Sequence, residues 1–323
     1  MSQDDPIAPR GQFKDRTIGL ILFGLFEILI GGFFLMMIPM VALSALIPQP
    51  GGPPMGLRMM IPAMIIYALV AVVFTWLGVG SMLARRWARA LMLVISWLWL
   101  VTGIVSTAFF LFFMPDMFER MAQQGQMPAE AVVVVKLVVL ATLGFIYVIL
   151  PGVFVLFYQS EHVRATCEFK DPRVRWTDHC PLPVLALVVV FGFSVCSMIS
   201  MPCYGFVVPV FGTLLTGLPG ALVLVAITLV LAYLTWGLYK LRPIAWWVTL
   251  ALGVLGTASN MVTFSRVGLM ELYEKMNMPE QQLKMIQDTG MIEKMNMPWM
   301  MAVSAAVFLG YLLYVKRYFA VAS

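Results

Sequence analysis

Eight apolar stretches, most of them longer than twenty residues, constrain this chain more than anything else written in it. A helix needs roughly 20 apolar residues to cross about 30 Å of hydrocarbon, because each residue rises about 1.5 Å. Inside that layer every backbone polar group must find a partner within the protein, and a helix supplies those partners locally. The stretches cover residues 17–45, 59–83, 87–113, 131–158, 184–215, 218–239, 244–264 and 299–315. They predict an all-α fold, a polytopic transmembrane helical bundle of eight spans with the lipid bilayer as its main partner. With 61% hydrophobic and 11% charged residues over 323 positions, and a mean hydropathy of +0.92, a soluble globule is excluded.

The first sixteen residues, MSQDDPIAPRGQFKDR, carry mixed charge, and the apolar run after them is too long for the core of a cleaved signal peptide. The expectation is a cytoplasmic tail, 1–16, followed by a retained first span. With the tail inside, the inner segments hold Arg10, Lys14, Arg16, Arg85, Arg86, Arg89, Arg164, Lys170, Arg173, Arg175, Lys240, Arg242, Lys316 and Arg317, fourteen of the twenty-one basic residues. That bias predicts a plasma (inner) membrane protein with both termini cytoplasmic. The pI of about 9.1 is then a signal of topology. Its basic residues flank helix ends and form no stripe, so no nucleic-acid partner is expected.

The chain also resembles itself. FGLFE at Phe23 is echoed by FGFSV at Phe191, and GSMLARRWA at Gly80 by GLYKLRPIA at Gly237. ERMAQQGQMP, ending at Pro128, has a counterpart in EKMNMP, ending at Pro298. These echoes predict a four-plus-four internal repeat, residues 17–159 and 184–323, joined by a cytoplasmic linker at 160–183. An even number of spans brings the second half back in the same orientation, so the repeat should be parallel.

The segment 266–298 is rich in methionine and contains EKMNMP twice, at Glu274 and at Glu293. Proline cannot continue a helix but suits the first turn of a new one, so Met-Pro punctuates short helices here. The apolar spacing predicts one helix through Met276, another from Pro279 to Gly290, and the eighth span opened by Pro298. Methionine is an adaptable apolar side chain, and packing or a surface for a membrane-protein partner is its expected role. The alternative is copper, since thioethers suit Cu(I), with Met276, Met278, Met295 and Met297 as ligands.

Polar residues inside spans are costly and therefore informative. Glu27 lies ten residues into the first span, about 15 Å along it, which places it near mid-membrane. Gly24 and Gly31 share its helix face, so the acid is expected to face a closely packed neighbour. Lys136 is the candidate counter-charge, or it reaches the headgroups instead. Asn260 shares a face with Gly253 and Gly256 and is expected to hydrogen-bond between helices. In the linker, His162, Cys167, His179 and Cys180 are zinc-type residues, but their spacing lacks the paired C-x2-C of known ribbons. Zinc is the alternative there, an ordered linker with reduced thiols the expectation. No cofactor is required by any motif.

No phosphate loop, HExxH or GxSxG is present. The function expected is a non-enzymatic accessory or assembly role through helix packing and the Met-rich outer helices. A proton-coupled or small-solute transporter using Glu27 is the first alternative, and a metal-handling membrane protein the second.

Overall fold

In the computed structural model, residues 13–44, 57–123, 128–276, 278, 280–288 and 296–320 are described. Among these described residues, eight helices are long and apolar enough to cross a membrane, and the chain is a multi-pass helical membrane protein. In chain order they are α1 (Thr17–Ser44), α2 (Leu57–Met82), α3 (Arg86–Gln123), a fourth span formed by α4 (Ala129–Gly144) and α5 (Leu150–Gln159), α7 (Leu182–Ser197), α8 (Gly217–Tyr239), α9 (Pro243–Arg266) and α12 (Met297–Val315). Short helices connect them: α6 (Glu161–Lys170) in the linker, α10 (Leu269–Lys275) and α11 (Glu280–Asp288) before the last span, and α13 (Arg317–Ala320) at the end.

The fifth of the expected spans departs from the sequence reading, and the cause is local. The fifth apolar stretch was read as one helix over 184–215, but α7 stops at Ser197 and tightens into a 3-10 turn, Met198–Tyr204. Pro202 lies in that turn, and Gly205 follows with φ +74°, a conformation that suits glycine and ends the helix. The remaining apolar residues fold back as a hairpin, β1 (Val208–Val210) antiparallel to β2 (Thr213–Leu215). Its tip is tied to α9, where Phe211 N–H donates to Ser259 Oγ at 3.0 Å and Gly212 N–H to Thr263 Oγ1 at 2.9 Å. The third span covers Arg86–Phe112, as expected from the sequence, and its helix continues beyond it to Gln123.

The fourth span is interrupted by a π turn, Phe145–Ile149. Pro151 has no N–H to offer the Tyr147 carbonyl four residues earlier, so the helix widens there. Gly103 of α3 packs against that carbonyl, where a side chain would collide with backbone.

One end of the bundle gathers most of the basic residues. Arg16 N–H donates to Thr166 Oγ1 at 3.1 Å, tying the start of α1 to α6. Tyr239 at the end of α8 donates to the Trp176 carbonyl at 3.2 Å, and Tyr311 of α12 donates to the Pro183 carbonyl at 2.8 Å. Trp246 Nε1 of α9 donates to the Leu312 carbonyl at 2.9 Å. A continuous core beneath this end joins α1, α2, α3 and α5 to α7, α8, α9 and α12, with Leu20, Leu77, Met92, Leu185, Leu238 and Leu312 fully buried.

Two turns at this end share one geometry. After α2, Ala84 adopts φ +50°, with its N–H on the Ser81 carbonyl and the Arg85 N–H on the Gly80 carbonyl, both at 2.9 Å. After α8, Leu241 adopts φ +53°, with its N–H on Leu238 and the Arg242 N–H on Gly237, both again at 2.9 Å. Both are Schellman caps, which satisfy carbonyls that the helix end would otherwise leave unpaired.

Candidate functional site

The most concentrated intramembrane polar group lies between α1, α2 and α5. Glu27 and Tyr158 are fully buried, and Ser81 is 1% exposed. Tyr158 Oη donates to Glu27 Oε1 at 2.5 Å, Ser81 Oγ donates to Glu27 Oε2 at 3.1 Å, and the two hydroxyl oxygens are 2.9 Å apart. Proton counting limits this ring. With an ionised carboxyl, two protons serve both carboxylate oxygens and the edge between hydroxyls has none; with a neutral carboxyl, three protons serve three edges.

Glycines allow this approach. A methyl on Gly24 would stand 2.6 Å from the Gly78 carbonyl oxygen, and one on Gly78 would stand 2.6 Å from the Gly24 carbonyl oxygen. A methyl on Gly31 would meet Thr75 Oγ1 and the Ala71 carbonyl. The α1–α2 seam is therefore a backbone-to-backbone contact one turn from the acid. Around Tyr158 stand three phenyl rings: Phe23 stacks on Phe157 at 3.9 Å, and Phe154 meets Phe23 edge-on at 5.2 Å.

The partners of Glu27 fix its level within the bundle. Ser81 and Tyr158 are each one residue from the end of their helices at the basic end of the bundle. The carboxyl lies near that level along α2 and α5, since helical side chains lean toward the N-terminus. Lys136, on the same span as Tyr158, lies 22 residues before it, about 33 Å along a helix, and so is not at the level of Glu27.

Asn260 lies elsewhere. It lines a groove of about 430 Å³ between α9 and α12, together with Thr257, Met297, Met300, Met301 and Ser304. A second, apolar cavity of about 420 Å³ adjoins it, and Gly253 and Phe308 line both. Met276 and Met278 do not line this groove, while Met295 lies outside the described residues. In the second EKMNMP copy, Asn296 caps α12 by accepting the Trp299 N–H at 3.1 Å, with Pro298 in the first turn. In the first copy, Asn277 and Pro279 lie outside the described residues, as does Gly290.

The linker forms a third polar cluster. Asp171, 2% exposed, accepts two hydrogen bonds from Arg175 Nε, at 2.9 and 3.1 Å, and one from Nη2 at 2.6 Å, and it also accepts the Arg86 N–H. The Arg175 guanidinium holds the Asp171 carboxyl below the usual carboxylate range. Asp178 pairs with Arg86 at 3.2 Å, so the linker is clamped onto the α2–α3 turn. Burial pushes the Cys167 thiol up to about 11 and the Cys180 thiol up to about 12, which keeps both protonated at neutral pH. His162 Nδ1 accepts the Lys14 N–H at 3.4 Å, and His179 is exposed. Among the described residues no group of three or more His, Cys, Asp or Glu side chains is arranged to hold a metal ion.

Sequence reasoning named Glu27 but missed Ser81 and Tyr158, which are 54 and 131 residues away along the chain. It named Asn260 and Met297 but missed the groove they share with Met300, Met301 and Ser304. Compared with known families, characterised proteins and solved structures, the chain matches none of them.

Proposed function

We propose that this membrane protein is a non-enzymatic accessory or assembly protein, acting through helix packing and through contact of residues 266–298 with a membrane-protein partner. The observation that carries this reading is the use to which the buried acid is put. Glu27 closes a hydrogen-bonded ring inside a glycine seam, walled by phenyl rings, and it lines neither the α9–α12 groove nor the cavity adjoining it. A transport carboxylate needs a route for water or solute, and this one is engaged in holding α1, α2 and α5 together.

Supporting the partner contact, α10 and α11 precede the last span as separate short helices, with Glu271, Lys275, Glu280 and Lys284 interspersed among apolar residues. The two matching caps at Ala84 and Leu241, 157 residues apart, support a parallel duplication of residues 17–159 and 184–323 around the linker at 160–183. Gly80 and Gly237 sit equivalently as well, each of them placing a hypothetical methyl 2.7 Å from the Cβ of Ala88 or Ala245. The basic end supports a cytoplasmic placement of the 1–16 tail and the C-terminus in a plasma membrane.

The test is a mild-detergent pull-down of the tagged protein, repeated after residues 274–298 are replaced by a Gly/Ser segment. A stoichiometric membrane partner that disappears with the replacement is the expected result. Solute uptake by reconstituted protein alone, abolished in Glu27→Gln, would overturn the proposal in favour of transport.

A further inference from the structure

The groove between α9 and α12 has a composition that the packing role of the first half does not explain. Asn260 and Ser304 face it from opposite helices, and among the described residues neither side chain has a hydrogen-bond partner. The Thr257 hydroxyl is already donated to the Gly253 carbonyl at 2.8 Å and retains only accepting capacity. An amide and a hydroxyl left unpaired inside a membrane span are costly, so a ligand that pairs with them is favoured. No Lys, Arg, Asp or Glu lines either the groove or the cavity behind it.

The cavity behind is lined by Phe191, Leu234, Leu252, Gly256 and Phe308, among others, and reaches between α7, α8, α9 and α12. Each volume lies within the range of ligand sites, roughly 300 to 1,000 Å³, which are mostly apolar with a few placed polar groups. Close-packed interiors do not keep apolar voids of this size when hydrocarbon can enter them. Methionines at 297, 300 and 301 provide an adaptable wall.

We infer that the α9–α12 groove and its adjoining cavity bind one bilayer lipid with an uncharged head, its ester or hydroxyl groups paired with Asn260 and Ser304 and its apolar chain in the cavity. The lack of any lining charge selects the head. A phosphate there would sit within the span with no lining cation, whereas a glycerol hydroxyl or ester carbonyl matches the donors and acceptors present. Gly256 provides the means to test the tail. A methyl added there meets nothing within 4 Å, so a larger side chain grows into the cavity without touching backbone.

The experiment uses the full chain in phosphatidylcholine nanodiscs carrying a trace of photoactivatable diacylglycerol, or of phosphatidylglycerol with the same photoactivatable chains, followed by peptide mapping. Labelling of α9 and α12 should favour diacylglycerol by roughly tenfold or more, and unlabelled diacylglycerol should compete for it. Gly256→Leu should remove this labelling, and Asn260→Leu should erase the preference for the neutral head. In both variants, labelling of the lipid-facing side of α1, at Leu22 and Leu29, should be unchanged, which reports an intact fold. Equal labelling by the two lipids, or persistence in Gly256→Leu, would reduce the groove to ordinary lipid contact and overturn the inference. Labelling of α1 without any of α9 or α12 would also overturn it, and would leave a partner's helix as the occupant.

Discussion

Changing Gly24 to Ala tests whether the glycine seam and the buried ring form one unit. The added methyl would stand 2.6 Å from the Gly78 carbonyl oxygen and 2.9 Å from the Met82 nitrogen, and both are backbone atoms that cannot swing away. Reaching ordinary contact near 3.4 Å requires α1 and α2 to part by about 0.8 Å. Glu27 lies one turn from Gly24, and Ser81 one turn from Gly78, so most of that shift is transmitted to their hydrogen bond. Its 3.1 Å length then grows to about 3.9 Å, beyond hydrogen-bond range. Leaving one buried carboxyl oxygen without its donor costs about 1–3 kcal/mol, and the better helix propensity of alanine returns about 1 kcal/mol at most. With the full return, a net loss of up to about 2 kcal/mol is expected from reversible unfolding in mixed SDS and dodecylmaltoside micelles, and a difference of about 1–3 kcal/mol from an exposed glycine that gains the same propensity. Gly32 is the control, because a methyl there meets nothing within 4 Å, and Gly32→Ala should be neutral or slightly stabilising. In a Ser81→Ala background the hydrogen bond is already absent, so Gly24→Ala should cost about 1 kcal/mol less than in the parent. If the two losses simply add, or Gly24→Ala is as harmless as Gly32→Ala, the seam does not hold the ring.

Three further outcomes are expected. Because Arg175 holds the Asp171 carboxyl below its ordinary value, the clamp's contribution to stability is complete above about pH 4 and is lost as pH falls further through the folded-state value. Thermal melts from pH 6 to 3 should show this acid-side loss in the parent and a flatter profile in Asp171→Asn. Cys167 and Cys180, with thiols pushed up to about 11 and about 12 and side chains buried, should resist iodoacetamide at pH 7.5 in the folded protein and react once it is denatured; mass spectrometry of the alkylated peptides reads this directly. Asn296→Ala should cost about 1 kcal/mol by removing the cap of α12, whereas Asn296→Ser should retain most of it, as measured in the same micelle unfolding assay.

The spans were legible because hydrocarbon thickness sets a length that apolar runs must meet, and helix ends follow basic residues and Pro or Gly turns. The fifth stretch misled because its apolar character runs on past the helix: Val208, Leu214 and Leu215 are as hydrophobic as a span, and only Pro202, Gly205, Pro209 and Gly212 mark the fold-back. The face of Glu27 was readable from Gly24 and Gly31, since helical periodicity is local. Its partners were not, because which helices meet is decided by packing across the bundle and no short spacing records it. The groove at Asn260 was hidden in the same way: Met300, Met301 and Ser304 acquire meaning only once α12 lies beside α9.

The ring at Glu27 also imposes an order on biosynthesis. Glu27 leaves the ribosome 54 residues ahead of Ser81 and 131 ahead of Tyr158. At about 5–20 residues per second, the first span waits roughly 7 to 26 s for the tyrosine that completes its hydrogen bonding. During that interval the nascent helix carries an acid into the membrane with a single hydroxyl partner at best, and its hydrophobic residues must carry the insertion. A chain arrested before the fourth span therefore displays an unfinished polar group on its first helix.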